Sequence, residues 1–175
     1  MLPLFYSSIM QLNMIERIIT THVEISQNTT PMEPFHEVLL SAAREAAHKA
    51  YAPYSRFRVG AAAALANGEI VTGSNQENAS YPCGLCAERV TLFAANAHYP
   101  GTRVTHLLIY AETDEGPLRT PITPCGACRQ VIIEKENVQK APINILLAGV
   151  DTIYNIASAA QLVPLSFIPE SLDNK

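Results

Sequence analysis

The amino-acid sequence predicts an α/β protein, a three-layer α/β/α sandwich with a mixed five-stranded sheet. Three observations favour this fold: an alanine-rich segment with helical periodicity, a β-hairpin signal at an Asn-Gly pair, and later segments that alternate between helical and strand patterns. Since binding sites in such folds lie at the carboxyl ends of the strands, we expect the functional residues at that edge of the sheet.

The first half of the main domain contains one predicted helix and one predicted hairpin. Between His36 and Tyr51, apolar residues recur at helical spacing, and charged side chains occupy the opposite face. Two apolar runs then flank Asn67 and Gly68, and both of these residues tolerate the positive φ angles of a tight turn. We therefore expect an amphipathic helix followed by two antiparallel strands.

The second half alternates between helices and strands. Helical patterns are present in AERVTLFAANAH, CRQVIIEKEN and the short segment SAAQL, whereas RVTHLLIYAE, INILLAG and DTIYNI are typical of strands. Together with the hairpin, these segments supply the five predicted strands and the helices that cover them.

The predicted organisation is one main domain over residues 34–170, preceded by an N-terminal extension over 1–33 and followed by a tail over 171–175. A short strand within the extension is predicted by β-favouring residues that alternate with polar ones, namely Ile19, Thr21, Val23 and Ile25. SQNTTPMEP predicts a polar linker. The opening MLPLFYSSIM lacks a basic region and is too short to cross a bilayer, so we expect neither a signal peptide nor a membrane anchor.

Composition excludes several classes of protein. A chain of 175 residues buries enough surface to fold without a disulfide or a metal, so any bound metal is free to serve a function. Twelve Lys and Arg against sixteen Asp and Glu give a net charge of −4, the wrong sign for a groove that follows phosphates, and we expect no nucleic-acid partner. With no export signal, we expect a cytoplasmic location with reduced thiols, and CxxC spacing then indicates metal ligands.

All four cysteines lie in two Pro-Cys-Gly-x-Cys segments, YPCGLC and PCGAC. The pairs of a structural zinc module usually lie about 15–20 residues apart. Here Cys86 and Cys125 enclose a whole predicted helix and a strand, and each pair precedes a helix whose N-terminal dipole favours a thiolate. This spacing favours an open metal site over a closed site of four thiolates, although the closed site remains an alternative.

Glu88 supports the open site. It follows Cys86 by two positions near the start of a helix, and an open zinc site with three protein ligands and a water needs a carboxylate to move protons. A closed site has no use for such a residue. Three thiolates on one zinc ion leave a net charge of −1, and Arg89 is a candidate for the cation that offsets it. Cys83 is then the odd thiol, either a small residue in a turn or a redox bystander.

Four motifs in the same order resemble the small homotetrameric, zinc-dependent cytidine deaminases of the cytidine and deoxycytidylate deaminase superfamily. The resemblance extends from about Tyr51 to Phe167, through YAPYSRFRVGAA, NQENASYPCGLCAER, PCGACRQV and LVPLSF. It implies hydrolytic deamination of cytidine and deoxycytidine to uridine and deoxyuridine, with release of ammonia, in pyrimidine salvage. The region before Pro34 has no counterpart in the shortest family members, and Cys83 stands where a residue without a thiol is more usual.

The resemblance also implies roles for single residues. Cys86, Cys125 and Cys128 would hold one zinc ion per chain, Glu88 would shuttle protons, and Arg89 would hydrogen-bond to the ligand thiolates.

Substrate contacts follow by the same resemblance. Asn75 and Glu77 match the residues that bind the ribose hydroxyls, and Phe57 matches the aromatic residue that packs near the pyrimidine. Tyr81 and Phe167 match residues that reach the ligand from adjacent subunits, so the resemblance implies a homotetramer with active sites shared between subunits.

Other functions use the same motifs. A deaminase that edits polynucleotides needs a basic channel, and it generally has His at the position of Cys86, as do deoxycytidylate deaminases. A deaminase of a modified cytosine nucleoside is a further alternative. The pair Asn75 and Glu77 favours a substrate with an ordinary ribose instead. A non-catalytic zinc module is the fourth, and it would not need Glu88.

Overall fold

The structure is a computed structural model, and it describes residues 15–27 and 32–172 of the chain. The opening MLPLFYSSIM, the centre of the predicted polar linker and the last three residues of the predicted tail lie outside the described residues. Within 15–27 and 32–172, no helix combines the length and the apolar character that a membrane crossing requires.

The described ranges contain three α-helices and seven β-strands, with short 3₁₀ turns between and after them. In chain order the elements are β1 (Glu24–Gln27), α1 (Pro34–His48), β2 (Arg58–Leu65), β3 (Ile70–Ser74), α2 (Ala87–His98), β4 (Val104–Thr113), β5 (Gly116–Pro117), α3 (Gly126–Gln139), β6 (Asn144–Ala148) and β7 (Thr152–Ile156).

All seven strands belong to one mixed sheet. Six strands follow the order β1-β7-β6-β4-β2-β3, and β5 pairs with β4 alone. β4 and β6 are parallel, whereas the other neighbouring pairs are antiparallel. Since β2 is antiparallel to both β3 and β4, the strands β3, β4 and β6 all run in the same direction.

Helices cover both faces of this sheet, which confirms the three-layer α/β/α prediction. On one face α1 packs against alternate residues of the central strands, and the buried cluster there comprises Leu39, Ala43, Ala47, Ala62, Ala64, Leu108, Tyr110, Leu146 and Ala148. On the other face α2 and α3 pack against the intervening residues, including Ala61, Ala63, Leu107, Ile109, Ile145 and Leu147. The period of two along each strand therefore divides the core into two layers.

The number of strands differs from the predicted five. The five predicted strands correspond to β2, β3, β4, β6 and β7, and the sheet also contains β1 at its edge and β5 beside β4. β5 has only two residues, Gly116 and Pro117, which is too short for any periodic signal. β1 covers Glu24–Gln27, the end of the segment in which a strand was predicted, and its four residues pair with Thr152–Asn155 of β7.

Two local boundaries also depend on tertiary contacts. α1 ends at His48, short of the predicted Tyr51, because the backbone of Tyr51 hydrogen-bonds to Asn75 O at 3.1 Å and to Glu77 N at 2.8 Å. In the hairpin only Gly68 has a positive φ, +90°. Its backbone N donates to Leu65 O at 3.0 Å, and Leu65 N donates to Glu69 O at 2.9 Å. The loop therefore has three residues, 66–68, and only the last of them needs a positive φ.

Gly60 allows α1 to lie close to the centre of the sheet. A Cβ atom at this position would lie 2.5 Å from the backbone nitrogen of Ala47 and would overlap the carbonyl oxygen of Ala43. Only glycine permits so close an approach between a helix and a strand, and α1 therefore covers β2 and β4 without a gap.

A buried carboxylate fastens the C-terminal half of α3 to the segments that follow it. Glu136 is 7% exposed and accepts hydrogen bonds from Ile143 N at 2.7 Å, Ala159 N at 2.8 Å and Ser158 Oγ at 2.8 Å. It therefore satisfies two backbone donors that the sheet and the turn after β7 leave without a backbone partner.

We expect Glu136→Ala to lower the free energy of unfolding by about 2–4 kcal/mol, because the variant leaves those buried N–H groups without an acceptor. Urea unfolding followed by circular dichroism measures the change. Glu134→Ala is the matched control, since Glu134 is exposed on the same helix, and its effect should stay within about 0.5 kcal/mol. Equal effects of the two substitutions would contradict the role assigned to Glu136.

Candidate metal centre and active site

The direction of the strands places two helix N-termini at one edge of the sheet. β3 and β4 run in parallel, α2 follows the carboxyl end of β3, and α3 follows that of β4 after the short β5. Cys86 is the N-cap residue of α2, Cys125 is the N-cap residue of α3, and Cys128 lies in the first turn of α3. The thiols therefore meet where amide groups are free and the helix dipoles are positive.

The three thiols form a compact cluster. The Sγ atoms of Cys86 and Cys125 are 3.8 Å apart, those of Cys125 and Cys128 are 3.4 Å apart, and all three lie within 4.8 Å of one another. Three sulfurs around a tetrahedral zinc ion at about 2.3 Å would be separated by about 3.8 Å, so the cluster fits a zinc ion and leaves its fourth position open.

Local electrostatics favour thiolate at this cluster. Hydrogen bonds with Cys128, Arg89 and Cys125 lower the pKa of the Cys86 thiol to about 5, against an opposing effect of burial. The hydrogen bond with Cys86, together with burial, raises the pKa of Cys128. Of these two thiols, Cys86 is therefore the one whose surroundings favour the thiolate form.

Arg89 lies against the cluster, as the sequence predicted for a compensating cation. Its Nη2 donates to Cys86 Sγ at 3.8 Å and to Gly84 O at 3.4 Å, and its Nε is buried without a partner in the described structure. The hydrogen bond with Cys86 raises the pKa of Arg89. The guanidinium is thus held one turn along α2 from the thiolate that it faces.

Glu88 is buried beside the same thiols, with 4% of its surface exposed. Burial raises the pKa of Glu88, and the charge on Cys86 raises it further, whereas hydrogen bonds with its own backbone amide and with Cys128 oppose these effects. A raised pKa makes the protonated form of a carboxyl group easier to reach, which suits a group that must both accept and donate a proton.

Cys83 lies outside the cluster. It ends the 3₁₀ turn Tyr81–Cys83, is exposed, and its Sγ lies 3.6 Å from Ser80 Oγ. The group of metal-capable side chains found in the described residues contains Cys86, Cys125 and Cys128 and does not include Cys83.

Asn75 and Phe57 are neighbours at the same edge of the sheet, because β2 begins where β3 ends. Both ends of the Asn75 side chain bond to the backbone of the other strand: Oδ1 accepts from Val59 N at 2.8 Å and Nδ2 donates to Phe57 O at 2.9 Å. Phe57 is half-buried and packs against the core beneath α2 and α3. Asn75 thus fixes the backbone from which the Phe57 ring projects.

Glu77 is held by the loop before Phe57. Its Oε2 accepts from Tyr54 N at 2.9 Å and from Ser55 N at 3.3 Å, and its Oε1 accepts from Ser55 Oγ. The hydrogen bond with Ser55 and those with the two amides lower the pKa of Glu77, so the carboxylate is ionised at neutral pH.

A cleft of about 330 Å³ adjoins the cysteine cluster. It is lined by three of the predicted substrate contacts and two of the predicted metal-site residues, together with their neighbours: Asn75, Gln76, Glu77, Asn78, Tyr81, Gly84, Leu85, Cys86 and Arg89. Its volume suits a small molecule and is far too small for a folded partner.

The two aromatic residues predicted to act between subunits are exposed in the single chain. Tyr81 is 78% exposed, and its ring meets that of Tyr54 edge to face at a centroid distance of 6.3 Å. Phe167 is 60% exposed, and its carbonyl accepts from Gln130 Nε2 on α3 at 2.8 Å. Nothing within the described chain buries either ring.

The structure adds Tyr54 and Ser55 to the residues predicted from the sequence. They reach Glu77 across separations of 23 and 22 residues. A serine in a loop has no periodic or spacing signal of its own. In the segment YSRF, Ser55 is one of two polar residues between two aromatic ones, and serine is common in turns. Only the folded chain brings these groups together.

Comparison with known proteins identifies the family. The family model for the cytidine and deoxycytidylate deaminase zinc-binding region matches residues 33–143, and the cluster at Cys86, Cys125 and Cys128 is compatible with such a zinc site. A cytidine deaminase from Halalkalibacterium halodurans is 36% identical over 79% of this chain and 98% of its own length. One from Sporosarcina psychrophila is 37% identical over 78% of this chain and 93% of its own.

Solved structures agree with these relatives. The cytidine deaminase of Burkholderia pseudomallei superposes with a TM-score of 0.64 at 42% identity, over 75% of this chain and 98% of the other. That of Mycobacterium tuberculosis superposes with a TM-score of 0.61 at 35% identity, over 77% and 98%. On these matches and on the fold and cysteine cluster described above, the chain belongs to the cytidine and deoxycytidylate deaminase family.

Proposed function

We propose that this protein catalyses the hydrolytic deamination of cytidine and deoxycytidine to uridine and deoxyuridine, with release of ammonia. The observation that carries the proposal is the buried carboxylate of Glu88 beside three thiols that leave one tetrahedral position open. The relatives named above support it, since each of them is a cytidine deaminase and the match to this chain covers nearly the whole length of each.

Cys86, Cys125 and Cys128 would hold the zinc ion through their thiolates. When bound, zinc supplies a Lewis acid that lowers the pKa of a water molecule towards about 7. Arg89 donates to Cys86 Sγ and, by partly neutralising this sulfur, would limit its electron donation to a bound metal.

Glu88 would move the protons of the reaction. Its carboxylate accepts a proton as the water oxygen bonds to the amino-bearing carbon of the cytosine ring, and passes that proton to the adjacent ring nitrogen. The remaining hydroxyl proton then moves by way of the same carboxylate to the amino group, which leaves as ammonia while the carbonyl of uracil forms. One carboxylate with a raised pKa serves both steps because it is returned to its starting state between them.

The cleft beside the cluster would hold the nucleoside. Asn75 and Glu77 supply an amide and an ionised carboxylate to bind ribose hydroxyls, and both are fixed by hydrogen bonds before any ligand arrives. Phe57 lies above the core at the same edge, where an aromatic face can pack on the pyrimidine. Prior fixation of these groups reduces the entropy lost on binding.

The active unit in this proposal is a homotetramer in which subunits complete each other's sites. Tyr81 and Phe167 are large aromatic side chains with 78% and 60% of their surfaces exposed, and a neighbouring subunit would bury them. The cytoplasmic location, the absence of a nucleic-acid partner, and the division at residues 33/34 and 170/171 remain predictions from the sequence.

Loss of the Glu88 carboxylate should separate catalysis from zinc binding. Glu88→Gln keeps the shape of the side chain but removes its proton transfer, so we expect kcat for cytidine to fall by at least about 10³-fold while zinc stays near one ion per chain. Ultraviolet spectroscopy follows the conversion to uridine, and elemental analysis measures zinc. Glu134→Gln on the exposed face of α3 should behave like the parent. A zinc-loaded parent that turns over neither cytidine nor deoxycytidine would refute the proposed function.

Substitution of single cysteines distinguishes the open site from a closed site of four thiolates. Cys125→Ala removes one of three ligands and should reduce bound zinc to less than about a tenth of an ion per chain, with activity lost in parallel. Cys83→Ala removes a thiol outside the cluster and should leave both zinc and activity within about twofold of the parent. Loss of zinc from the Cys83 variant would instead favour the closed site.

Mixed tetramers can show whether Phe167 acts across a subunit boundary. Phe167→Ala should raise KM for cytidine, and Glu88→Gln should be inactive alone. Co-expressed with separate affinity tags and purified through both, the two variants should form mixed tetramers in which about a quarter of the sites pair an intact Glu88 with a neighbour's intact Phe167. Those sites should show the parental KM. Activity with only the KM of Phe167→Ala would mean that Phe167 serves its own subunit.

A further inference from the structure

The loop before β2 is tied to the end of β3 through one hydroxyl group. Ser55 Oγ lies within hydrogen-bonding distance of two groups, Glu77 Oε1 and the backbone nitrogen of Phe57, the latter at 3.0 Å. It therefore stands between the carboxylate assigned to the ribose and the aromatic residue assigned to the pyrimidine.

The chemistry of the two partner groups determines which atom donates in each of these hydrogen bonds. The amide of Phe57 can only donate, so Ser55 Oγ accepts from it. Glu77 is ionised and can only accept, so the single hydroxyl proton of Ser55 points to Glu77 Oε1. Each group has one role available, and the hydroxyl has no freedom to rotate.

The carboxylate of Glu77 is correspondingly constrained. Tyr54 N and Ser55 N occupy Oε2, and Ser55 Oγ occupies one acceptor position of Oε1. Of about four acceptor positions on a carboxylate, one therefore remains, on Oε1. That oxygen belongs to a residue that lines the cleft, and the position left open is available to a hydroxyl group of the ligand.

Several hydrogen bonds hold the shape of this loop. Arg56, between Ser55 and Phe57, has a left-handed φ of +55°, which is unfavourable for a residue with a side chain. Its backbone nitrogen donates to Ala52 O at 3.0 Å, and the contacts of Ser55 and Glu77 hold the residues on either side. Three of these hydrogen bonds, from Arg56 N to Ala52 O and from Tyr54 N and Ser55 N to Glu77 Oε2, do not use the Ser55 hydroxyl, so we expect them to remain in Ser55→Ala.

We infer that Ser55 is a positioning residue for ribose recognition: its hydroxyl orients Glu77 Oε1 so that the free acceptor position faces a ribose hydroxyl. This inference rests on the proposed function, because it assumes that the cleft binds a nucleoside. It predicts that Ser55 acts only on substrates that carry the hydroxyl which Glu77 accepts. A serine that merely stabilised the loop would affect every substrate alike.

The experiment compares Ser55→Ala with the parent on cytidine and on 2′,3′-dideoxycytidine, which lacks the 2′- and 3′-hydroxyl groups of the ribose ring. For cytidine we expect KM to rise about tenfold, the effect of losing one hydrogen bond to a charged group, with kcat within about twofold. For dideoxycytidine KM should change by less than about threefold. Ser55→Thr keeps the hydroxyl and should restore KM for cytidine to within about threefold of the parent.

A double-mutant cycle tests that the effect passes through Glu77. In a chain that already carries Glu77→Ala, adding Ser55→Ala should change KM for cytidine by less than about threefold, because its partner is gone. Ser41→Ala on the exposed face of α1 controls for the substitution itself. If Ser55→Ala does not fold, Ser55→Cys keeps a similar size with a weaker donor and should raise KM for cytidine selectively.

The outcomes distinguish the two proposals. An active parent with an unchanged KM in Ser55→Ala would overturn the role of Ser55 and leave the proposed function standing. An equal rise in KM for cytidine and dideoxycytidine, or additive effects of Ser55 and Glu77, would overturn it as well, since Ser55 would then be structural. A parent inactive on cytidine and deoxycytidine would overturn the proposed function and with it this inference.

Discussion

Two helices of this protein begin within a few ångströms of each other, and the active site depends on that juxtaposition. α2 and α3 follow β3 and β4, which run in parallel with β2 between them, so both helices begin at the same edge of the sheet. Each N-terminus carries a cysteine as its N-cap residue, and the two Sγ atoms are 3.8 Å apart although 39 residues separate them. The metal centre is thus a consequence of strand direction.

This placement also sets the charge balance of the site. Thiolates repel one another, and two helix dipoles with the guanidinium of Arg89 offset that repulsion. The lowered pKa of Cys86 and the raised pKa of Glu88 then arise a few ångströms apart from different causes, hydrogen bonding for the thiol and burial for the carboxyl. A site that keeps one group ionised and lets its neighbour exchange a proton is suited to hydrolysis.

The same edge of the sheet is reinforced by polar side chains that face the cleft. Asn75 bonds to the backbone at Phe57 and Val59, and Glu77 bonds to the backbone at Tyr54 and Ser55. Residues assigned to substrate recognition therefore also hold the loop that carries the aromatic contact. Substitution of either residue should alter binding and local structure together, which is why the double-mutant cycle at Ser55 is the sharper measurement.

The sequence by itself predicted most of the elements and the kind of site. Periodicity located α2 at Ala87–His98, and the spacing of Cys86, Glu88, Cys125 and Cys128 indicated an open metal site. It did not reveal β5, the end of α1 at His48 or the link from Ser55 to Glu77, because each depends on a partner segment distant in the chain. Local sequence patterns indicate which secondary structure a segment favours and which of its faces is buried. A hydrogen bond between residues 22 positions apart, such as Ser55 and Glu77, forms only after the sheet has placed both segments side by side.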